Sequence, residues 1–167
     1  MSFHLYIMRH AKSDWETGTS DFDRPINQRG NNSAIRIGQW MSENNYIPEK
    51  IISSSAVRAK QTIELLVDQI EEKDKKEISY EKDLYLASLD TLLENITLYK
   101  SNVNSLMLVA HNPGLEELVY FLDGDSGSQY ISMTTANLVI YEYADNQFDV
   151  ETDKGKRIEF IKPKELK

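Results

Sequence analysis

Apolar residues fall into short runs along this chain, and these runs alternate with longer segments in which apolar residues recur every three or four positions. The short runs predict β-strands, and the periodic segments predict amphipathic helices. We expect strands at residues 5–8, 51–53, 78–80, 106–110, 138–143 and 157–162. We expect helices at residues 32–44, 59–70, 89–99 and 115–122. Strands and helices therefore alternate through most of the chain.

Local features add expectations about individual elements. Residues 106–110 are all apolar, which is typical of a strand covered on both faces. The serines at 53–55 would form a turn and cap the helix that follows. Gly38, inside the first helix, either weakens the prediction of that helix or marks close packing against the sheet. The mixed charges at 71–77 predict a solvated helix end and loop, and residues 124–128 predict a second loop.

The alternation of strands and helices is typical of an α/β fold. We expect one domain over residues 1–167, a three-layer sandwich with a mostly parallel central sheet and helices on both faces. Ligands of such sheets bind at the carboxyl ends of the strands. Arg9 and His10 follow the first strand, and Arg58 follows the second. Because His111 follows the strand at 106–110, the pattern predicts that these side chains share one site.

The composition narrows the possible functions. The chain has 167 residues and a formal net charge of −8, which argues against general nucleic-acid binding and makes any phosphate site a local island of cations. It has no cysteine, so disulfides and thiol catalysis are excluded. The first residues lack the pattern of a signal peptide. No apolar run approaches the ~20 residues that span a membrane, so we expect a cytoplasmic protein.

Two arginines and two histidines carry the predicted chemistry. The guanidinium groups of Arg9 and Arg58 could hold phosphate oxygens in bidentate pairs and stabilise charge during phosphoryl transfer. His10 could form a covalent phosphoimidazole intermediate, provided that its ring is neutral. Nearby arginines would favour the neutral ring by lowering its pKa. Taken singly, each of these residues is more often structural or merely exposed, so the argument depends on their grouping.

Metal and nucleotide sites are poorly supported by this sequence. It contains no H-x-x-x-H pair and no cysteine, so we expect no metal site. The glycine-rich loops of the common nucleotide-binding folds are also missing. His4 lies at the other end of the first strand and is interpreted as structural or exposed. We therefore expect an activity without a cofactor.

The segment Leu5 to Ser13, with its Arg-His-Ala-Lys-Ser end, resembles the signature of the histidine phosphatase superfamily, the phosphoglycerate-mutase-like enzymes. The segments Asp23 to Ile26, Gln28 to Gly30, Ser53 to Thr62 and Leu108 to Pro113 match in the family's order. Ala11 replaces the commoner glycine, as in the small SixA branch of phosphohistidine phosphatases. The resemblance therefore implies a phosphoglycerate-mutase-like fold and a metal-free phosphoric monoester or phosphoramidate hydrolase.

The resemblance assigns roles to the grouped residues. His10 would be the nucleophile, and His111 a second imidazole that touches the phosphoryl oxygens. Arg9 and Arg58 would clamp the phosphate, and the turn near Ser13 could add substrate contacts.

The general acid is the part of the family pattern for which this sequence has no clear match, and Glu81 and Asp83 are its possible candidates. Many relatives carry an acidic general acid between the second and third motifs, where this chain offers only Glu81 and Asp83, neither in a convincing motif. Expelling an alkoxide needs a well-placed acid, whereas imidazole is a better leaving group. A weak or missing acid would therefore favour phosphohistidine as the substrate.

Chain length bears on the kind of substrate. Only 47 residues separate His10 from Arg58, and 52 separate Arg58 from His111, which leaves little chain to form a lid. An open site favours a phosphorylated protein, with phosphohistidine as the substrate. The alternatives are a broad or small-molecule phosphomonoesterase and a non-catalytic module that binds phosphate or a phosphoprotein.

Overall fold

The computed structural model describes residues 2–15, 17–71, 77–124 and 130–166. Within these ranges the strands are β1 (Phe3–Arg9), β2 (Lys50–Ser54), β3 (Glu77–Glu81), β4 (Ser105–Ala110), β5 (Leu138–Tyr143) and β6 (Lys156–Ile161). The α-helices are α1 (Gln28–Glu43), α2 (Val57–Val67), α3 (Leu89–Tyr99) and α4 (Gly114–Asp123). Two short 3₁₀ turns, Lys82–Leu84 and Pro163–Glu165, follow β3 and β6.

All six strands belong to one sheet, in the order β3-β2-β4-β1-β5-β6. The four strands from β3 to β1 are parallel, whereas β5 runs antiparallel to both β1 and β6. In the parallel part, Arg9 pairs with Ala110, and Ser53 pairs with Val109. The carboxyl ends of β1, β2 and β4 therefore lie side by side, and the chain that follows each strand starts from one edge of the sheet.

Helices cover both faces of the sheet, because side chains alternate along each strand. On β1, Phe3, Leu5 and Ile7 pack into the core beneath α3 and α4. Tyr6 and Met8 point into the other core, beneath α1 and α2. The three-layer α/β architecture with a mostly parallel sheet is confirmed.

Most expected elements lie where the pattern predicts them, and α3 and β5 have the predicted bounds. The predicted start of the first helix, at residue 32, is wrong. Helix α1 begins at Gln28, because the side chain of Asn27 accepts a hydrogen bond from the Gly30 N–H and caps the helix there. The segment Gln28 to Gly30 is thus its first turn. Residues 72–76 of the charged run and 125–128 of the second predicted loop lie outside the described residues.

Two local expectations are corrected by the fold. The N-cap of α2 is Ala56 rather than a serine, because Ser53 and Ser54 belong to β2. The Ser54 hydroxyl contacts His111, which follows β4. Gly38 marks close packing, but against α2 and not against the sheet. A Cβ at this position would lie 2.6 Å from the Leu66 carbonyl oxygen, so only glycine permits the approach of α1 to α2.

Candidate active site

The histidine that follows β1 is held in one defined protonation state. His10 Nδ1 lies 2.8 Å from the backbone oxygen of Ala11, an acceptor, and so carries the ring proton. His10 Nε2 receives the Nε–H of Arg58 at 3.3 Å. Because guanidinium groups only donate hydrogen bonds, Nε2 must offer its lone pair. His10 is therefore a neutral imidazole whose unprotonated nitrogen faces an arginine.

Arg58 connects the two histidines of the site. It is the second residue of α2 and only 2% exposed. Its Nη2 lies 3.2 Å from Nδ1 of His111, and the two imidazole rings are 4.9 Å apart between centroids. His10, Arg58 and His111, which come after three neighbouring strands, therefore lie close together as predicted, with Arg58 in contact with both imidazole rings.

His111, directly after β4, is oriented by a serine that the sequence suggested only as a helix cap. His111 Nδ1 accepts from Arg58, so the proton of the neutral ring is on Nε2, which donates to the Ser54 hydroxyl at 2.7 Å. The same hydroxyl accepts the N–H of Ala56 at 3.1 Å. Ser54 thus fixes both the tautomer of His111 and the start of α2.

Burial keeps both imidazoles neutral. The pKa of His10 lies well below its ordinary value, first because burial disfavours the charged ring and then because His111, Arg58 and Arg9 are nearby. Burial, followed by the charge of Arg58, lowers the pKa of His111 to about 3. A neutral ring is the form that can attack phosphorus, and the site provides it throughout the neutral pH range.

Three arginines line one cavity of about 350 Å³ above the histidines: Arg9, Arg24 and Arg58. Arg9 donates from Nη1 to the Met133 carbonyl at 3.0 Å, but its buried Nε has no acceptor among the described residues. The buried Nε of Arg24 also lacks one. A bound oxyanion would bring acceptors and negative charge to a site that is rich in donors.

Arg24 was not predicted as a site residue. It is only 7% exposed, its Nη1 hydrogen-bonds the Ser13 hydroxyl, and its guanidinium carbon lies 3.6 Å from the ring centroid of Trp15. Arg24 comes from the loop before α1 and not from a strand end, so the rule that located the other residues could not find it. The available signal was its place beside Pro25 in the matched segment.

Asp21 is a second residue that the sequence did not reveal. Its carboxylate accepts from Arg24 at 2.8 Å, from Arg58 at 3.1 Å and from the hydroxyl of Tyr85. The Tyr85 hydrogen bond, followed by those of the two arginines, holds the pKa of Asp21 well below its usual range. This ionised carboxylate balances part of the arginine charge and orients both guanidinium groups.

The remaining predicted residues fall into two groups. Ser13 lines the cavity and contacts Arg24 through its hydroxyl. Glu81 and Asp83 are not among the residues that line it: Glu81 accepts from the hydroxyl of Tyr99, and Asp83 accepts from Asn95 at 3.3 Å. Their placement gives no support to either as a general acid.

In the described part of the chain, no group of three or more histidine, aspartate or glutamate side chains could hold a metal ion. Likewise, none of the helices in the described ranges is long and apolar enough to cross a membrane.

Comparison with known proteins points to one family. The model of the histidine phosphatase superfamily (branch 1) matches residues 5–85. An uncharacterized protein of Mycobacterium tuberculosis is 31% identical over 165 residues, which cover 94% of this chain and 100% of that protein.

Solved structures agree with the sequence match. A crystal structure from Agrobacterium tumefaciens, of a protein provisionally named phosphohistidine phosphatase SixA, superposes with a TM-score of 0.82 at 28% identity. That match covers 96% of this chain and 98% of the other. The protein histidine phosphatase SixA in complex with tungstate gives the same TM-score at 22% identity, over 99% of this chain and 100% of that one.

Proposed function

Because this chain belongs to the histidine phosphatase superfamily, in its SixA-type group, we propose that it is a metal-independent phosphatase that removes phosphoryl groups from phosphohistidine in a protein. The observation that carries the proposal is the state of His10. Its ring is neutral, its Nδ1–H is fixed on the Ala11 carbonyl, and its Nε2 lone pair borders a cavity lined by three arginines.

The first step transfers the phosphoryl group to the enzyme. Nε2 of His10 attacks phosphorus and forms a P–N bond, while the P–N bond of the substrate breaks and its electron pair returns to the leaving imidazole. The leaving ring departs neutral when its other nitrogen carries a proton. The ring of His10 becomes a cation, whose Nδ1–H is stabilised by the Ala11 carbonyl. Arg9, Arg24 and Arg58 hold the phosphoryl oxygens in place of their present partners.

The second step is hydrolysis. Water attacks phosphorus, the P–N bond to His10 breaks, and its electron pair returns to Nε2. Inorganic phosphate leaves, and His10 regains the neutral state in which Nδ1 carries the proton. His111 can donate to a phosphoryl oxygen if its Nε2–H turns from Ser54, which gives it an electrophilic role without a change of charge.

No protonated carboxyl group is found among the described residues that line the cavity, and this favours an imidazole leaving group. Asp21 is the one carboxylate among the described residues that line the cavity, and its contacts with Tyr85, Arg24 and Arg58 keep it ionised. An ionised carboxylate cannot protonate a departing alkoxide. A phosphoramidate needs no such proton from the enzyme, so it should react much faster than an alkyl phosphate.

The rim of the cavity favours a protein substrate. Trp15 is 72% exposed and Leu86 is 54% exposed, and both line the opening. Leu86 also adopts a positive φ of 51°, an uncommon backbone conformation for leucine. Large apolar side chains held in solvent at the mouth of a site are suited to contact with a macromolecule.

A substrate panel with a chelator present tests the proposal. It compares a phosphohistidine protein, a phosphotyrosine peptide and small alkyl phosphates. We expect kcat/KM for phosphohistidine to exceed that for alkyl phosphates by about 100-fold or more, which is the usual contribution of a general acid, because no carboxyl group able to act as one lines the described part of the cavity. Comparable values would indicate a broad phosphomonoesterase. Binding without turnover of any substrate would indicate a phosphate-binding module.

A further inference from the structure

A second cavity, of about 430 Å³, adjoins the active-site cavity, and Lys12 and Thr135 line both. It lies between the first turns of α1, the segment before β5 and the 3₁₀ turn after β6. We call it the basic cavity, because four of its lining residues are cations: Lys12, Arg29, Arg36 and Lys164. The remaining lining residues are uncharged.

The charge of the basic cavity contrasts with that of the chain. The protein carries 27 acidic residues against 19 basic ones, yet none of the described aspartate and glutamate residues lines this cavity. Among the described residues, none of its four cations lies within 4.0 Å of a carboxylate oxygen. An uncompensated group of cations on an acidic protein attracts anionic ligands to that place.

A buried amide adds a second, independent sign of a ligand. Asn137 lines the basic cavity and is only 1% exposed. Its side-chain oxygen accepts from the Thr134 hydroxyl at 3.0 Å, but its Nδ2 has no acceptor in the described part of the chain. Buried donors are nearly always paired in native proteins. The cavity therefore combines positive charge with an unused hydrogen-bond donor, which is what a carboxylate or phosphate requires.

The spacing of the cations indicates an extended ligand. Arg29 and Arg36 are seven residues apart on α1, so they lie on one face of the helix and about 10 Å apart along its axis. This distance separates the backbone positions, and each guanidinium group lies at the end of a long, exposed side chain. The two arginines can therefore bind separate anionic groups of one extended ligand.

We propose that the basic cavity binds an acidic segment of the phosphoprotein substrate while the phosphohistidine occupies the active-site cavity. The inference rests on the proposed function for the identity of the substrate. Because the two cavities share Lys12 and Thr135, one polypeptide can enter both. Carboxylates of the segment pair with Arg29 and Arg36, and the segment thereby presents its phosphohistidine to His10.

The test compares two phosphohistidine peptides of equal length, one with glutamates and one with glutamines beside the phosphohistidine. In the wild-type protein at low salt, we expect kcat/KM to be about tenfold higher for the acidic peptide, mainly through KM, and to lose this advantage as salt is added. Arg36→Gln should reduce the ratio of acidic to neutral kcat/KM about threefold, and R29Q/R36Q should reduce it further.

Lys156→Gln is the matched control. Lys156 is an exposed cation at the start of β6. In the register of the sheet it lies opposite Glu142 of β5, which in turn lies opposite His4 of β1, so Lys156 is at the end of the sheet away from the site. This variant removes one charge and should keep the wild-type ratio. Equal use of both peptides by the wild-type protein, or a ratio that Arg36→Gln and Lys156→Gln change alike, would overturn the inference.

A binding measurement separates this inference from the proposed function. If no phosphoramidate is hydrolysed, the proposed function fails, but the basic cavity can still be examined with the unphosphorylated acidic peptide by calorimetry. We expect Arg36→Gln to weaken that binding about threefold. Binding that the variant does not change would contradict the proposal, as would binding of a small bisphosphate in preference to the peptide.

Discussion

The two adjoining cavities both gather cations on an acidic protein, but they hold them differently. In the active-site cavity, Arg24 and Arg58 are buried, and each donates to Asp21 and to a further partner. In the basic cavity, Arg29 and Arg36 are exposed and form no ion pair with the described residues. The first arrangement fixes the geometry of its arginines before the ligand arrives, whereas the arginines of the second provide charge without a fixed geometry.

This difference follows from what each cavity would have to do. Stabilising a phosphoryl group in transfer requires donors placed to within a fraction of an ångström, so a network of hydrogen bonds is needed to hold them. Attracting a flexible acidic segment requires only charge at roughly the right place. Substitutions should therefore have large effects that depend on geometry in the first cavity, and small effects that depend on charge in the second.

The largest effect is expected for Arg58→Lys, which keeps the positive charge but replaces the planar guanidinium group, with its several N–H donors, by a single ammonium. Arg58 contacts His10 through Nε, the Asp21 backbone carbonyl through Nη1, and both the Asp21 carboxylate and His111 through Nη2. A single ammonium group cannot make all of these contacts. We expect kcat/KM for phosphohistidine to fall about 100- to 1000-fold. Steady-state kinetics on purified protein, with circular dichroism to verify folding, measures the change.

Arg157→Lys is the control for that experiment. Arg157 lies on β6 and donates to Asp123 at 3.0 Å, away from both cavities. The same substitution there should leave kcat/KM close to the wild-type value. Near-normal activity of Arg58→Lys would show that a positive charge alone is sufficient at the active site. It would contradict the conclusion that the active-site cavity, unlike the basic cavity, depends on the geometry of its arginines.

A smaller effect is expected on the pH dependence of the unfolding free energy. This quantity depends on the buried residues of the active-site cavity and not on the exposed cations of the basic cavity. The pKa of His111 is lowered from 6.5 to about 3 by burial and by Arg58. Between these pH values the unfolded chain binds a proton that the folded protein does not, so stability falls as the pH falls from about 6.5. His111→Asn removes this proton uptake. The pH dependence of its unfolding free energy should be shallower by up to about 1.4 kcal/mol per pH unit within that window.

Urea unfolding at several pH values between 4 and 7 measures this slope for both proteins. Parallel slopes would mean that His111 is charged in the folded protein, in conflict with its role as acceptor from Arg58. Variants of the basic cavity should not change the slope, because its arginines are exposed to solvent.

The parts of the site that the sequence predicted are those that follow from sheet geometry. Arg9 ends β1, and His10, Arg58 and His111 come after β1, β2 and β4. The register of these parallel strands brings the four residues together. Arg24 and Asp21 could not be predicted in this way, because they come from a loop whose path depends on contacts with Ser13, Tyr85 and Arg58. The helix cap at Asn27 was not predicted, because glycine is unfavourable inside a helix and Gly30 therefore gave no sign that α1 begins at Gln28.

The basic cavity could not be predicted from the sequence either. Lys12, Arg36 and Lys164 are far apart in sequence and carry no local pattern. They meet because α1 and the 3₁₀ turn after β6 pack against each other, which a sequence pattern does not specify.

The central claim is that His10 becomes phosphorylated during turnover. Rapid acid-free quenching after mixing with a phosphohistidine protein, followed by mass spectrometry of the peptides, tests it most directly. We predict a phosphoryl group on His10 that is stable in base and labile in acid, lost in His10→Ala and kept in His4→Ala, which changes a histidine at the opposite end of β1. Turnover by His10→Ala, or a phosphoryl group on a different residue during wild-type turnover, would contradict the account.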